Sequence, residues 1–263
     1  MSSEQKTLST LKQYLVILGI LQRKCRELQQ ALINHPQNDP IKTILLGFLT
    51  KSNHSLEAII LLYKRSLFHE AQSLIRIIFE VFITFLAFEK MLRQNPREAG
   101  MRVWDCVMLE KIKQQKASDF KGLDLIPGAP TPQDFYERER EIAKRYNESE
   151  LNKLKKYGFS GLNVEQRAKQ VNMSEYYNIV YRNFSRNVHT TDFMELTLLN
   201  NPNLLGAMHF SDYTDYRDFI GCEIAFISAS GVAATINDIF QLHFDRELMN
   251  LHNLRKKLQE SRK

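Results

Sequence analysis

The chain is poor in the residues that punctuate, cross-link or metallate a fold. It has only 10 glycines and 7 prolines in 263 residues, and the prolines (Pro36, Pro40, Pro96, Pro127, Pro130, Pro132 and Pro202) fall at sparse breakpoints. Sandwiches and barrels need turn residues roughly every ten positions, so this scarcity argues against them and favours long helices. The three cysteines, Cys25, Cys106 and Cys222, are far apart and odd in number. They lack the close pairing or neighbouring histidines of a zinc site, so neither a disulfide framework nor a structural metal is expected, and a reduced, cytoplasmic setting fits best. There is no G-x-x-x-x-G-K-[ST] phosphate loop, no G-x-G-x-x-G turn and no H-E-x-x-H site. No histidine has a glutamate three residues before it, which removes the carboxylate-bridged di-iron bundle. Gly158-Phe159-Ser160-Gly161 lacks the spacing of a nucleophile elbow. The segment Met1 to Lys12 is polar and has no apolar core of signal-peptide length. The most hydrophobic stretch, Leu74 to Phe88, contains Arg76 and Glu80 and is too short to span about 30 Å of hydrocarbon as a helix; no membrane span is expected.

What remains is ample material for a helical core. Apolar residues make up 43% of the chain, and 36 basic residues against 30 acidic ones give a formal charge of +6, a mild excess compatible with a phosphate-rich partner. Leu8, Leu11, Leu15, Leu18, Leu21, Cys25, Leu28 and Leu32 alternate three and four apart, one face of a first helix. Asp39 and Pro40 supply the cap and first turn of a second, running to about Lys64. A break near Arg65 to Leu67 leads to a third over Phe68 to Arg93, closed by Pro96; a single bent helix is the alternative.

A fourth helix covers Glu98 to Lys116 and carries Trp104, read as core together with the phenylalanines of the third. Ser118 to Pro132 is the longest loop, Thr131 caps the next helix, and the charged run Glu137 to Lys156 is a solvent-facing helix ended by Gly158. A short helix over Glu165 to Val171 precedes an amphipathic segment from Ser174 to about Thr190. Helices over Tyr213 to Leu242 and Phe244 to Gln259 finish the chain, the former rich in small residues that let helices approach closely. The expected fold is all-α: a multi-helix up-down bundle forming a single domain over 1–263, with residues 98–171 as a charged helical excursion or lid.

The chemistry concentrates on Arg182-Asn183-Phe184-Ser185-Arg186-Asn187-Val188-His189. At 100° per residue, Arg182, Ser185, Arg186 and His189 share one helical face, beside a stripe of Tyr177, Tyr181, Phe184 and Val188. Two guanidiniums, a hydroxyl and an imidazole suit a phosphate: arginine supplies forked donors, and histidine moves a proton near neutral pH. A second Arg-to-His pair at similar spacing, Arg246 and His252, has glutamate after the arginine.

This segment resembles the signature of HEPN domains, all-helical modules of toxins, defence proteins and ribonucleases. In that signature an arginine is followed by a polar residue and, four to six residues on, by histidine; here Arg182, Asn183 and His189 match. The resemblance implies a HEPN-like bundle, a homodimer that pairs two copies of the motif, and metal-independent RNA cleavage. In that reaction a ribose 2′-hydroxyl attacks the adjacent phosphorus, His189 assists proton transfer, Asn183 positions the phosphate and Arg182 stabilises its charge. Ser185 and Arg186 add contacts. A broader likeness covers about two thirds of the chain: Arg76-x-x-x-Glu80 followed by Tyr181-x-x-x-Ser185-x-x-x-His189 resembles a bacterial helical family of unknown function. It implies that the two helices face each other, with Arg76 and Glu80 a buried pair orienting His189.

Plainer readings stand beside these. Arg76 and Glu80 suit an ordinary i,i+4 ion pair, His189 a helix-end residue bonding terminal carbonyls, and Ser185 a packing hydroxyl bonded to the Tyr181 carbonyl. The leading expectation is a cytoplasmic, homodimeric, metal- and cofactor-independent endoribonuclease of toxin or phage-defence type. Its partners would be RNA and a neutralising or regulatory protein, with no membrane. The rival is a non-catalytic helical module that binds a nucleotide, nucleic acid or protein through the Arg182/His189 face.

Overall fold

The structure, a computed structural model, describes residues 3–37, 39–121, 129–184 and 210–260. They form ten helices and no strand, a packed all-α bundle. In chain order these are α1 (Ser3–Asn34), α2 (Pro40–Lys64), α3 (Phe68–Gln94), α4 (Pro96–Ala117) and α5 (Pro132–Ala143). They continue as α6 (Glu148–Tyr157), α7 (Val164–Gln170), α8 (Ser174–Phe184), α9 (Phe210–Phe240) and α10 (Asp245–Glu260).

Local chemistry sets the helix starts. Asp39 accepts a hydrogen bond from the Lys42 amide at 2.8 Å with Pro40 in the first turn, and Asn95 and Thr131 cap α4 and α5 in the same way, each before a proline. Between α2 and α3 the chain turns at Ser66, with φ at 57°, so these are two helices and not one bent one. The charged run expected as one helix over Glu137–Lys156 is two. Asn147 and Glu150 form a capping box that restarts the chain as α6.

The chain folds as two compact units. The first takes in Met1–Phe85 and Met173–Lys263. In it α1 packs on α2, α9 and α10, and α2 also packs on α9. Leu18, Leu21, Cys25, Leu28 and Leu32 of α1 are buried, as the heptad-like spacing requires. The small residues of α9 bring neighbours close: a Cβ placed on Gly231 would lie 2.5 Å from the Phe82 ring, and one on Gly221 2.6 Å from Ile75 and 2.8 Å from the Tyr63 hydroxyl. The α9–α10 connection is held by Asn237, whose Oδ1 accepts from the Phe244 amide at 2.8 Å and whose Nδ2 donates to Asp245 at 2.9 Å.

The second unit spans Leu86–Asn172. There α4 packs on α5 and α6, around a small core of Leu109, Ile142 and Leu154. Phe88 meets Phe159 edge-on at 5.9 Å, and Arg102 donates to the Phe159 carbonyl at 3.0 Å. Buried Asp105 accepts from Arg145 Nη1 at 2.6 Å and from the Tyr146 hydroxyl at 2.9 Å. Trp104, expected in the core, is 48% exposed. It shares an open stripe of α4 with Met101 and Val107, while the adjoining face, about 100° round the helix, supplies Asp105, Leu109 and Ile112 to the interior.

Two helices exceed what the hydrophobic run Leu74–Phe88 suggested. The segments Glu70–Gln94 of α3 and Asp218–Phe240 of α9 are long and apolar enough to cross a membrane, and 56% of each apolar window is buried inside the protein.

Candidate functional site

The α3 and α8 segments that share the first unit meet through Arg76, Glu80 and Tyr181. On α3, Arg76 and Glu80 stand one turn apart, and Arg76 Nε lies 3.1 Å from Glu80 Oε1. The Thr84 hydroxyl donates to the Glu80 carbonyl at 2.7 Å, a back-bond typical of helical threonine. On α8, Val180 and Phe184 are buried, which turns Tyr181 toward α3. Its hydroxyl donates to Glu80 Oε1, the oxygen that also accepts from Arg76. Arg76 Cζ sits 4.5 Å from the centroid of the Tyr181 ring, and Tyr177 stacks on Tyr181 at 4.2 Å with the rings 28° apart.

Three attractive contacts therefore converge on one aromatic ring: a charge-assisted hydrogen bond, a cation–π contact and an aromatic stack. The pair is half-buried, with side-chain exposures of 23% for Arg76 and 34% for Glu80. That corrects the expectation of a buried pair, and it is more than a solvent-facing i,i+4 bridge because a third side chain from another helix completes it. Burial, then the hydrogen bond and negative charge of Glu80, hold the Tyr181 hydroxyl well above the usual tyrosine range, so at neutral pH it is a donor and not a base. Burial opposes the charge on Arg76, but its hydrogen bonds to Tyr181 and Glu80 outweigh that and raise its pKa.

Of the residues singled out in the sequence, Arg76, Glu80 and Tyr181 are thus brought together. Arg182 and Asn183 continue α8 directly after Tyr181. Their side chains, and all of Ser185, Arg186 and His189, lie outside the described residues. Tyr177 was legible only as part of a stripe; its i,i+4 spacing from Tyr181 is the signal that it stacks. A second polar cluster had no sequence signal. Asp218 is buried, its carboxylate lies 3.4 Å from the Tyr63 hydroxyl and 3.3 Å from Gln72 Nε2, and Tyr63 also reaches the Asp218 carbonyl at 3.3 Å. Burial pushes the Tyr63 pKa well up, with Cys222 and Asp218 adding to it. Among the described residues no group of three or more His, Cys, Asp or Glu side chains is placed to hold a metal.

These features define an all-helical protein whose Arg-x-x-x-Glu helix is tied by a tyrosine to the helix that begins the Arg182 motif. Residues 42–203 match DUF5677, a family of unknown function; the span exceeds half of the chain, and the chain belongs to that family. It takes in Arg76, Glu80, Tyr181 and the whole Arg182–His189 segment. No curated protein and no solved structure matches the chain.

Proposed function

We propose that this protein is a metal-independent endoribonuclease of HEPN type, cytoplasmic and homodimeric, of the kind used in toxin or phage-defence systems. The observation that carries the reading is the anchoring of α8. Tyr181 is held by Glu80, Arg76 and Tyr177, so the residue immediately before Arg182 is fixed by three contacts. A phosphate clamp gains from such a support because positioning lowers the ordering cost at the reacting centre. The excess of basic over acidic residues favours a polyanionic substrate.

In the proposed reaction the 2′-oxygen of a ribose bonds to the neighbouring phosphorus as its proton is taken up, and the bond from phosphorus to the 5′-oxygen breaks. That oxygen leaves as a hydroxyl after receiving a proton. A 2′,3′-cyclic phosphate remains on the upstream fragment. His189 moves the protons, Arg182 stabilises the charge on the phosphoryl oxygens with two parallel donors, and Asn183 orients the phosphate. Ser185 and Arg186 add contacts to the RNA backbone. Were residues 182–189 helical throughout, Arg182 and His189 would stand about 10.5 Å of rise apart, which is the reason a second subunit is part of the proposal. Such an activity needs restraint, and a neutralising protein is its natural partner.

The proposal is tested by expressing the chain in bacteria. Growth arrest that Arg182→Ala and His189→Ala each relieve supports it. Arrest that survives both substitutions contradicts it and leaves a non-catalytic module that binds a nucleotide, nucleic acid or protein through the same face.

A further inference from the structure

The second unit contains a cavity of about 410 Å³ between α4, α5 and α6, a size within the range of small-molecule sites, roughly 300–1,000 Å³. Its floor is the unit's own core, Leu109, Ile112 and Leu154, with the Cys106 thiol beside them. Its rim is cationic: Lys113, Lys116, Lys155 and Lys156 face two carboxylates, Glu110 and Glu139. Glu139 is held between Lys116 and Lys155, the latter at 3.0 Å. The hydrogen bond from Lys116 leads the causes that lower the Glu139 pKa, so the carboxylate stays ionised.

Lysines in the last turns of α4 and α6 complement the helix dipoles. That accounts for Lys116, Lys155 and Lys156, and Lys113 lies 3.6 Å from Glu110, but four lysines against two carboxylates leave the rim net cationic above the apolar floor. An apolar floor under a rim with an excess of positive charge is the chemistry of a pocket for an amphipathic anion, with the body buried and the head at the rim.

We propose that this cavity binds a small organic anion, with an acyl chain or aromatic ring on Leu109, Ile112 and Leu154 and a carboxylate, sulfonate or phosphate head among the four lysines. This assignment is independent of the ribonuclease reading. It uses only residues of the second unit and predicts binding whether or not RNA is cut.

The test uses the full chain and anilinonaphthalene sulfonate as probe, with brief maleimide labelling as a second readout. Cys25 and Cys222 are fully buried, so labelling of the folded protein reports on the partly open Cys106. The probe should bind saturably at one site, protect Cys106 from maleimide, and be displaced by octanoate but not by inorganic phosphate. Lys113→Gln with Lys155→Gln should weaken binding by roughly three- to tenfold, as loss of two exposed charge contacts does. Glu139→Gln frees two lysines and should tighten binding by up to about fivefold, an increase that a merely structural role would not produce. Fluorescence that does not saturate, or saturation that leaves Cys106 labelling unchanged in the wild-type protein, would overturn the assignment without recourse to any variant. Displacement by inorganic phosphate alone would overturn the apolar half of it.

Discussion

The Tyr181 hydroxyl on α8 donates to the Glu80 carboxylate on α3, 101 residues earlier in the chain. A contact of that sequence separation can form only once both helices are in place, so it reports on tertiary structure and not on helix formation. Its partner Arg76 adds charge to the same carboxylate oxygen and a face to the same ring.

Glu80→Ala should therefore destabilise the first unit by an intermediate amount. An exposed i,i+4 pair is worth about 0.3–0.5 kcal/mol and breaking a fully buried pair costs roughly 3–5 kcal/mol; a half-buried pair with a tyrosine donor falls between, at about 1–2 kcal/mol. Tyr181→Phe keeps the ring and removes only the donor, for a loss of about 1 kcal/mol. The double variant should lose less than the sum, because both substitutions remove the same bond. Chemical denaturation of the four proteins measures this, and strict additivity would show that the hydroxyl and the carboxylate do not interact.

Alkaline pH should expose the same bond. Burial raises the hydroxyl pKa of Tyr63, Tyr146 and Tyr181 above the usual value of about 10. A group whose folded pKa lies above its unfolded one contributes stability that is complete below the unfolded value and falls as pH rises toward the folded one. The unfolding midpoint should thus hold steady to about pH 10 and then decline, less steeply in Tyr181→Phe. Ultraviolet titration of tyrosinate should show a late-titrating class in the folded chain that shrinks by one residue in that variant. A normal titration at all tyrosines would remove the basis for it.

Helical glycines should respond with opposite signs. At Gly231 a Cβ would stand 2.5 Å from the Phe82 ring, and Gly231→Ala should cost about 1–3 kcal/mol through overpacking. At Gly19 and Gly47 nothing lies within 4 Å, so Gly→Ala there should stabilise by about 0.5–1 kcal/mol through helix propensity. Thermal unfolding of the three variants separates the cases; equal shifts would mean that α9 does not approach α3 this closely.

Much of the fold was legible because its signals are local. The Asp39–Pro40 start of α2, the Thr131–Pro132 start of α5 and the buried face of α1 each follow from side chains within a few positions of one another. The division of Glu137–Lys156 was equally local, in the Asn147–Glu150 box, but the continuous charge of that run masked it. Trp104 shows the limit of reasoning from side-chain type. Its large apolar ring suggests core, yet its position on α4 leaves it on the open face beside the one that buries Asp105 and Leu109, and its neighbour Asp105 is buried because Arg145 and Tyr146, some 40 residues away, receive it. Polar residues that are buried by distant partners, as Asp105 and Asp218 are, leave no periodic trace. The candidate site was legible in part for the same reason: Arg76 and Glu80 are one turn apart, whereas their link to Tyr181 is a property of the folded chain.

Cleavage of RNA in excess EDTA distinguishes the proposed metal-independent chemistry from a binding role. Wild-type protein should cut RNA but not DNA, because the nucleophile is the 2′-hydroxyl, and should leave 2′,3′-cyclic phosphate ends. His189→Ala should lower the rate by about 10²–10⁴-fold at an unchanged unfolding midpoint. Arg182→Lys should fail as well, since an ammonium cannot place two parallel donors on the phosphoryl oxygens. Cleavage that EDTA abolishes, or that persists undiminished in His189→Ala, would contradict the claim.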